Sequence, residues 1–289
     1  MEQTASAEQF LVVLGIAQDA GYPQAYCGKS CCEAVAQGKE KRRHVTCLGL
    51  VDRETQQVFM LEATPDFTEQ ERILRGYLSD TRQPLSGIFL THAHIGHYTG
   101  LMYLGREAMG AKEIPVFAMP KMKFFLENNA PWNQLVSLKN IKIESLKADS
   151  IVQITKNLSI KPLVVPHRDE FSETVGYVIE SKKKKVLFIP DIDKWSKWQR
   201  NIVEEVGKVD IALLDATFYQ NGEIPRDMSE VPHPFISETM DLFKNSQNKS
   251  KIRFIHFNHT NPVMRQTKER QWVERQGFGV CTEGGIIKL

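Results

Sequence analysis

"FLTHAHIGHYTGL", residues Phe89 to Leu101, sets three histidines within six positions, His92, His94 and His97, directly behind an apolar strand that ends at Thr91. On extended chain, side chains two apart point the same way, so His92 and His94 face one side together. His97 opens a helix predicted to begin near Thr99. Two imidazoles can thus seize one metal ion while the third reaches sideways toward a neighbouring position.

The same pattern recurs along the chain. His167 follows "KPLVV", Asp191 follows "VLFIP", Asp215 follows "IALL", and His256 ends "KIRFI". Ligand-type residues at the ends of so many apolar strands make chance a poor explanation. Further apolar, β-branched runs read as strands: "FLVVLG", "HVTCLGLVD", "QVFMLEA", "IPVFAM", "IKIESL", "SIVQI" and "TVGYVIES". Helical patterns are predicted at roughly 67–79, 99–110, 120–128, 194–206 and 235–245. Each half of the chain therefore supplies a sheet and covering helices, which suggests two packed sheets with helices outside. No repeat or Pro/Gly/Ser linker divides the 289 residues, so a single domain over 1–289 is expected.

Composition excludes several classes. With 37 basic and 35 acidic residues the net charge is +2, which carries no nucleic-acid or membrane signature. The one dense basic block, Lys182 to Lys185, lies between two strand-like segments and reads as a solvated hairpin tip. No apolar run reaches membrane-spanning length and "MEQTASAEQF" lacks signal-peptide character, so the expected location is cytoplasmic, with a removed leader left open. Five cysteines, three of them crowded in "CGKSCC" as Cys27, Cys31 and Cys32, suit a metal site or a reducing compartment better than disulfides. Cys47 and Cys281 sit in apolar, strand-like contexts and read as core.

Taken together, "LGIAQDAGYPQAYC", "LEATPDF", "THAHIGHYTGLMYLGRE" and "HFNHTNP" resemble the metallo-β-lactamase fold superfamily over nearly the whole length. Within it, the chain is most similar to the coenzyme PQQ biosynthesis protein B group and to the cyclic phosphodiesterase of phosphonate breakdown. The resemblance implies an α/β fold, the four-layer αββα sandwich. It also implies that His92, His94 and His167 hold a first metal, that Asp191 bridges, and that His97 and His256 hold a second. Zinc is the expected metal, with manganese or iron as alternatives, and water bound to such an ion ionises near a pKa of about 7. Asp215 falls where relatives carry an acidic residue behind the metals; it either orients a ligand imidazole or caps a turn. His233 matches a general acid of hydrolytic relatives, with a histidine in a Pro-rich turn as the alternative. Cys27, Cys32 and His259 match a structural zinc site; Lys29 stands at its middle cysteine position and Cys31, shifted from it, substitutes, three free thiols being the alternative.

Gly96 departs from the family's motif, which has an aspartate there. Either the second ion binds weakly, or Asp19 or Asp193 fills the gap, and Gly96→Asp is expected to strengthen the second site unless the backbone forbids it. The expected activity is metal-dependent hydrolysis of a small phosphodiester or similar anionic ester, with no nucleic-acid or membrane partner and a homodimer left open. Two alternatives stand beside it: iron-dependent oxidation of a peptide-derived precursor, as in the PQQ group, and a metal-binding protein with decayed catalysis. Typical PQQ-group members lack the two leading histidines, which tilts the reading toward hydrolysis. The aromatic residues Trp132, Trp195, Trp198, Phe218 and Tyr219 could wall a pocket but read more readily as packing.

Overall fold

The computed structural model describes residues 8–289. Strands β1 (Gln9–Gly15), β2 (Cys47–Asp52), β3 (Gln57–Leu61), β4 (Gly87–Phe89), β5 (Ile114–Ala118) and β6 (Ile141–Ser145) build the first sheet. The second contains β7 (Val152–Gln153), β8 (Leu158–Val164), β9 (Val175–Ser181), β10 (Lys185–Ile189), β11 (Ile211–Asp215), β12 (Ile252–Ile255) and β13 (Gly279–Val280). A last strand, β14 (Ile286–Lys288), returns to the first sheet beside β1, giving the orders β14-β1-β2-β3-β4-β5-β6 and β13-β12-β11-β10-β9-β8-β7.

Alternation along β1 explains why the strands read as continuous apolar runs. Leu11 and Val13 face the core between the sheets, where they join Phe59, Leu61, Phe89, Tyr177 and Phe188. Phe10, Val12 and Leu14 face the opposite way, into the layer under α2 (Phe67–Arg75), which contributes Phe67 and Leu74. A strand buried on both faces has no polar side to show. On the far face of the second sheet, α6 (Ile202–Gly207) and α7 (Ile236–Phe243) bury Ile202, Val206, Met240 and Phe243. This is the expected αββα arrangement.

Several expectations change in detail. His97 lies inside a short helix, Ile95–Tyr98, that continues as a 3-10 turn over Thr99–Leu104, so the helix does not start at Thr99. The helix predicted over 194–206 is broken: a 3-10 turn at Trp195–Lys197 precedes α6, because Trp198 turns inward and donates its Nε1–H to Val164 O at 2.9 Å. The Lys-rich segment is the solvated hairpin tip, with β9 and β10 pairing antiparallel on either side. Trp195 and Trp198 are core residues, and Trp132 packs on Tyr98 at a ring separation of 4.8 Å.

The pairing directions place the chemistry. β1 and β3 each pair antiparallel with β2, and β3 and β4 are parallel, so the C-terminal ends of β1, β3 and β4 lie on one edge. β8 and β10 are likewise both antiparallel to β9, with β10, β11 and β12 parallel. Every ligand-type residue identified in the sequence follows one of these ends. Strand termini at the carboxyl edge cannot pair onward, which leaves their loops free to carry a site.

Candidate metal centre

Three imidazoles and a carboxylate meet at one point. His92 Nε2 lies 2.8 Å from His94 Nδ1, which lies 3.3 Å from His167 Nε2; Asp191 Oδ2 is 3.3 Å from both His92 Nε2 and His167 Nε2. Nitrogens held tetrahedrally at zinc would be about 3.3 Å apart. The rings are oriented from behind. His92 Nδ1 contacts Thr91 Oγ1 at 2.9 Å, His94 Nε2 contacts Glu170 Oε2 at 3.2 Å, and His167 Nδ1 contacts Asp193 Oδ1 at 3.2 Å. With each outward nitrogen on an oxygen, each inward nitrogen is left to turn a lone pair toward the common point.

A second set adjoins it through Asp191. His97 Nε2 is 3.8 Å from Asp191 Oδ2, and Asp19 Oδ1 is 2.9 Å from His97 Nε2 and 3.2 Å from His256 Nε2. Behind these rings, His97 Nδ1 lies 3.2 Å from Glu62 Oε1 and His256 Nδ1 lies 3.0 Å from Thr217 Oγ1. Glu62 and His256 both have positive φ, at 87° and 69°, which for residues with a side chain is strained backbone held at the site by its surroundings.

The electrostatics differ between the sets. Burial, reinforced by the neighbouring His97, holds the His92 imidazole well below its ordinary pKa, and burial lowers His94. Burial also opposes a charge on His97 and His256, but the adjacent carboxylates override it, raising His97 well above the usual value and His256 to about 9. Asp19 and Asp191 are correspondingly held well below the carboxylate range by their histidines, against the effect of burial. Asp191 Oδ1 is buried, with His233 Nδ1 at 3.1 Å. A buried carboxylate whose Oδ2 faces the inward nitrogens of His92, His97 and His167 is a donor set that fits a divalent cation.

His233 sits beside the shared carboxylate. Its Nδ1 lies 2.9 Å from Asp215 Oδ2 and 3.1 Å from Asp191 Oδ1. Asp215 holds His233, which is in neither of the two ligand sets, and its Oδ1 accepts from Thr217 N at 2.8 Å and so fixes the turn. Its link to the ligand imidazole of His256 runs through the Thr217 hydroxyl, since the direct separation is 3.8 Å.

The cysteine cluster is separate. Cys27, Cys31 and Cys32 Sγ lie 3.5, 3.6 and 3.3 Å from His259 Nδ1, and Cys31 and Cys32 Sγ are 3.9 Å apart. Tetrahedral zinc would set sulfur–nitrogen and sulfur–sulfur separations of about 3.5 and 3.8 Å. Cys31 and Cys32 start the short helix α1 (Ser30–Ala36), and His259 stands three residues beyond His256. Burial pushes the Cys32 thiol up to about 12; at Cys27 burial acts the same way, but the Lys29 backbone N–H and the other thiols bring it below its usual value. Cys47 and Cys281 are buried elsewhere.

Two expectations are corrected. Asp193 does not face the second set; it holds His167 and Lys197 Nζ, the latter at 2.8 Å. A side chain at 96 has no room, because a Cβ there would lie 2.4 Å from Asp19 Cα, so Gly96→Asp is disruptive rather than strengthening. The sequence reading also passed over Glu62, Thr91, Glu170 and Thr217. Glu62 carries the signal used for the others, a polar residue closing the apolar strand β3.

Residues 58–257 match the Beta-lactamase superfamily domain. The chain belongs to this superfamily. Among curated proteins it is 23% identical to coenzyme PQQ synthesis protein B of Rhizobium meliloti, covering 96% of this chain and 97% of that protein. The Klebsiella pneumoniae protein of the same name is 26% identical, over 97% of this chain and 98% of its own. Among solved structures, Zn(2+)-bound PqqB from Methylobacterium extorquens superposes with a TM-score of 0.80 at 20% identity, covering 97% of this chain and all of that one. A diphosphatase from the PhnP family gives 0.67 at 19% identity, covering 97% and 98%. These likenesses agree with the metallo-β-lactamase fold. Among the described residues, no helix is long and apolar enough to cross a membrane.

Proposed function

We propose that the chain is a metal-dependent hydrolase acting on a small phosphodiester or similarly anionic ester, in the cytoplasm. The observation that carries this reading is the pair of adjoining ligand sets sharing Asp191, with His233 beside them and belonging to neither imidazole set. His92, His94, His167 and Asp191 would hold one ion, and His97 and His256, with Asp191 shared, a second. Ions held there would supply Lewis-acid charge and lower the pKa of water, as zinc, manganese and iron do.

The chain's own residues supply the rest. Thr91, Glu170, Asp193, Glu62 and Thr217 fix the imidazoles so that no reorganisation is needed on binding. His233 has its Nδ1–H committed to Asp215, which leaves Nε2 to hand a proton to a departing alkoxide. Negative charge on Asp191 and Asp215 keeps the imidazolium form available against the cost of burial. Such charge-clustered, positively completed pockets suit a small anion better than a neutral substrate.

The likeness to coenzyme PQQ synthesis protein B over nearly the whole chain keeps a second reading, the iron-dependent, oxygen-using enzyme that the resemblance to that group implies. The second set, His97, His256 and Asp191, is the one that a 2-His-1-carboxylate site would use; Asp19 beside both imidazoles argues against it, since such a site leaves more positions open. One experiment separates the two. Protein loaded with zinc, manganese or ferrous ion is offered a panel of chromogenic phosphodiesters, with dissolved oxygen followed in parallel. Metal-dependent hydrolysis without oxygen uptake supports the proposal; oxygen uptake by ferrous protein without hydrolysis sinks it.

A further inference from the structure

We propose that Asp19 is a direct ligand of the second metal, delivered by the loop after β1, and that Gly96 is the residue that admits it. This rests on the two-ion reading of the pocket. The carboxylate is placed by geometry: Asp19 Oδ1 contacts the inward nitrogens of both His97 and His256, at 2.9 and 3.2 Å. With His97, Asp191 and His256, Asp19 forms one compact set of four donors. Two carboxylate oxygens and two imidazole nitrogens at such spacing make a site for a hard or borderline dication.

Gly96 supplies the second, independent observation. Its φ lies outside the left-handed region, so no turn requires glycine there; the requirement is one of space. A Cβ at 96 would stand 2.4, 2.7 and 2.9 Å from Cα, Cβ and Cγ of Asp19. Backbone cannot yield as the tip of a flexible side chain can. The volume that a side chain at 96 would take is therefore occupied by the Asp19 main chain and the root of its carboxylate. The motif's missing aspartate and the loop aspartate are two solutions to one coordination problem, and they exclude each other.

The loop is held from both sides. Gln18 N donates to Phe257 O at 2.8 Å, Ala17 N donates to His44 O at 2.9 Å, and Gly21 N closes a turn on Gln18 O at 2.7 Å. Asp19 thus enters on a fixed backbone tied to the residue after His256, and a preorganised ligand loses little entropy on binding. A charged donor on such a loop contributes more to affinity than an equally charged residue on mobile chain.

The test uses the metal-loaded protein and counts ions. Wild type, Asp19→Asn, Gly96→Ala and the double variant are dialysed against rising chelator concentrations, and metals per chain are measured. Anomalous scattering identifies which ion leaves. Asp19→Asn keeps shape and removes charge, so its fold should survive; circular dichroism checks this. The second ion should be lost at a chelator concentration about 100-fold lower, the scale on which imidazole-supporting carboxylates act or above it. Gly96→Ala should weaken the same ion, and the double variant should be no worse than the weaker single one, because both changes act through one carboxylate. Asp19→Asn that retains the second ion as wild type does would overturn the ligand assignment. Gly96→Ala that retains it would overturn the shared-space argument. Ion loss without any hydrolysis in wild type would remove the hydrolytic reading and leave Asp19 as ligand; hydrolysis with an ion indifferent to Asp19 would do the reverse.

Discussion

Protons and metal ions compete for the imidazoles, and the two sets of histidines should show this competition differently. His256 is raised to about 9, and His97 is raised well above its ordinary value, so at pH 7 both rings carry protons that an arriving ion must displace. Two pH units below a pKa of about 9, roughly 1% of His256 is neutral, which opposes binding by about 2.7 kcal/mol, or about a hundredfold. The sign follows: the second ion's apparent affinity rises with pH up to the raised pKa and then levels. With at least one proton released, the slope is at least about tenfold per pH unit between pH 6 and 8. Burial holds His92 and His94 below the ordinary imidazole value, so the first ion's affinity should depend on pH less steeply than the second's. Calorimetric titration in buffers of different ionisation enthalpy reads the protons released at each site. Equal proton release at both sites, or none at the second, would refute the reasoning.

Three further outcomes follow from the geometry. Cys32→Ser or His259→Ala should cost about one zinc per chain and lower the melting temperature, since a closed Cys3His site contributes folding free energy; unchanged zinc content and melting in both would contradict it. His92→Ala or His94→Ala should reduce active-site metal and abolish phosphodiester hydrolysis, measured by metal content and turnover, while the cysteine site stays full. His233→Ala should cut turnover by about 10² to 10⁴ for an ester with a poor leaving group and far less for a nitrophenyl ester, because only the former needs the proton; equal losses on both would remove His233 from that role.

The strands and the ligands at their ends were legible because both sheets are buried on both faces. Runs such as "FLVVLG" therefore stay apolar until the chain leaves the core, and the first polar residue marks the site. What escaped has physical causes. β13 and β14 are two and three residues long, too short for any periodicity. Helix α8 (Lys268–Arg275) buries Arg270 and Val273 and presents charge elsewhere, so its sequence "KERQWVER" shows little apolar stripe. The broken helix near Trp198 was decided by a tertiary hydrogen bond to Val164 O. Glu62 carries the strand-end signal, but its place behind His97, fully buried, is set by tertiary packing. The choice between Asp19 and Asp193 was undecidable from sequence because each lies close to a ligand in the chain or on an adjoining loop; only the packing of the first loop against Gly96 separates them.

The central claim is that one carboxylate, Asp191, joins two ions in this pocket. Diffraction from crystals of the zinc-loaded protein, recorded on both sides of the zinc absorption edge, tests it most directly. The account predicts three anomalous peaks per chain: one among Cys27, Cys31, Cys32 and His259, one among His92, His94, His167 and Asp191, and one between His97 and His256 with Asp191 shared. A filled cysteine site above a histidine pocket with one anomalous peak or none would contradict it.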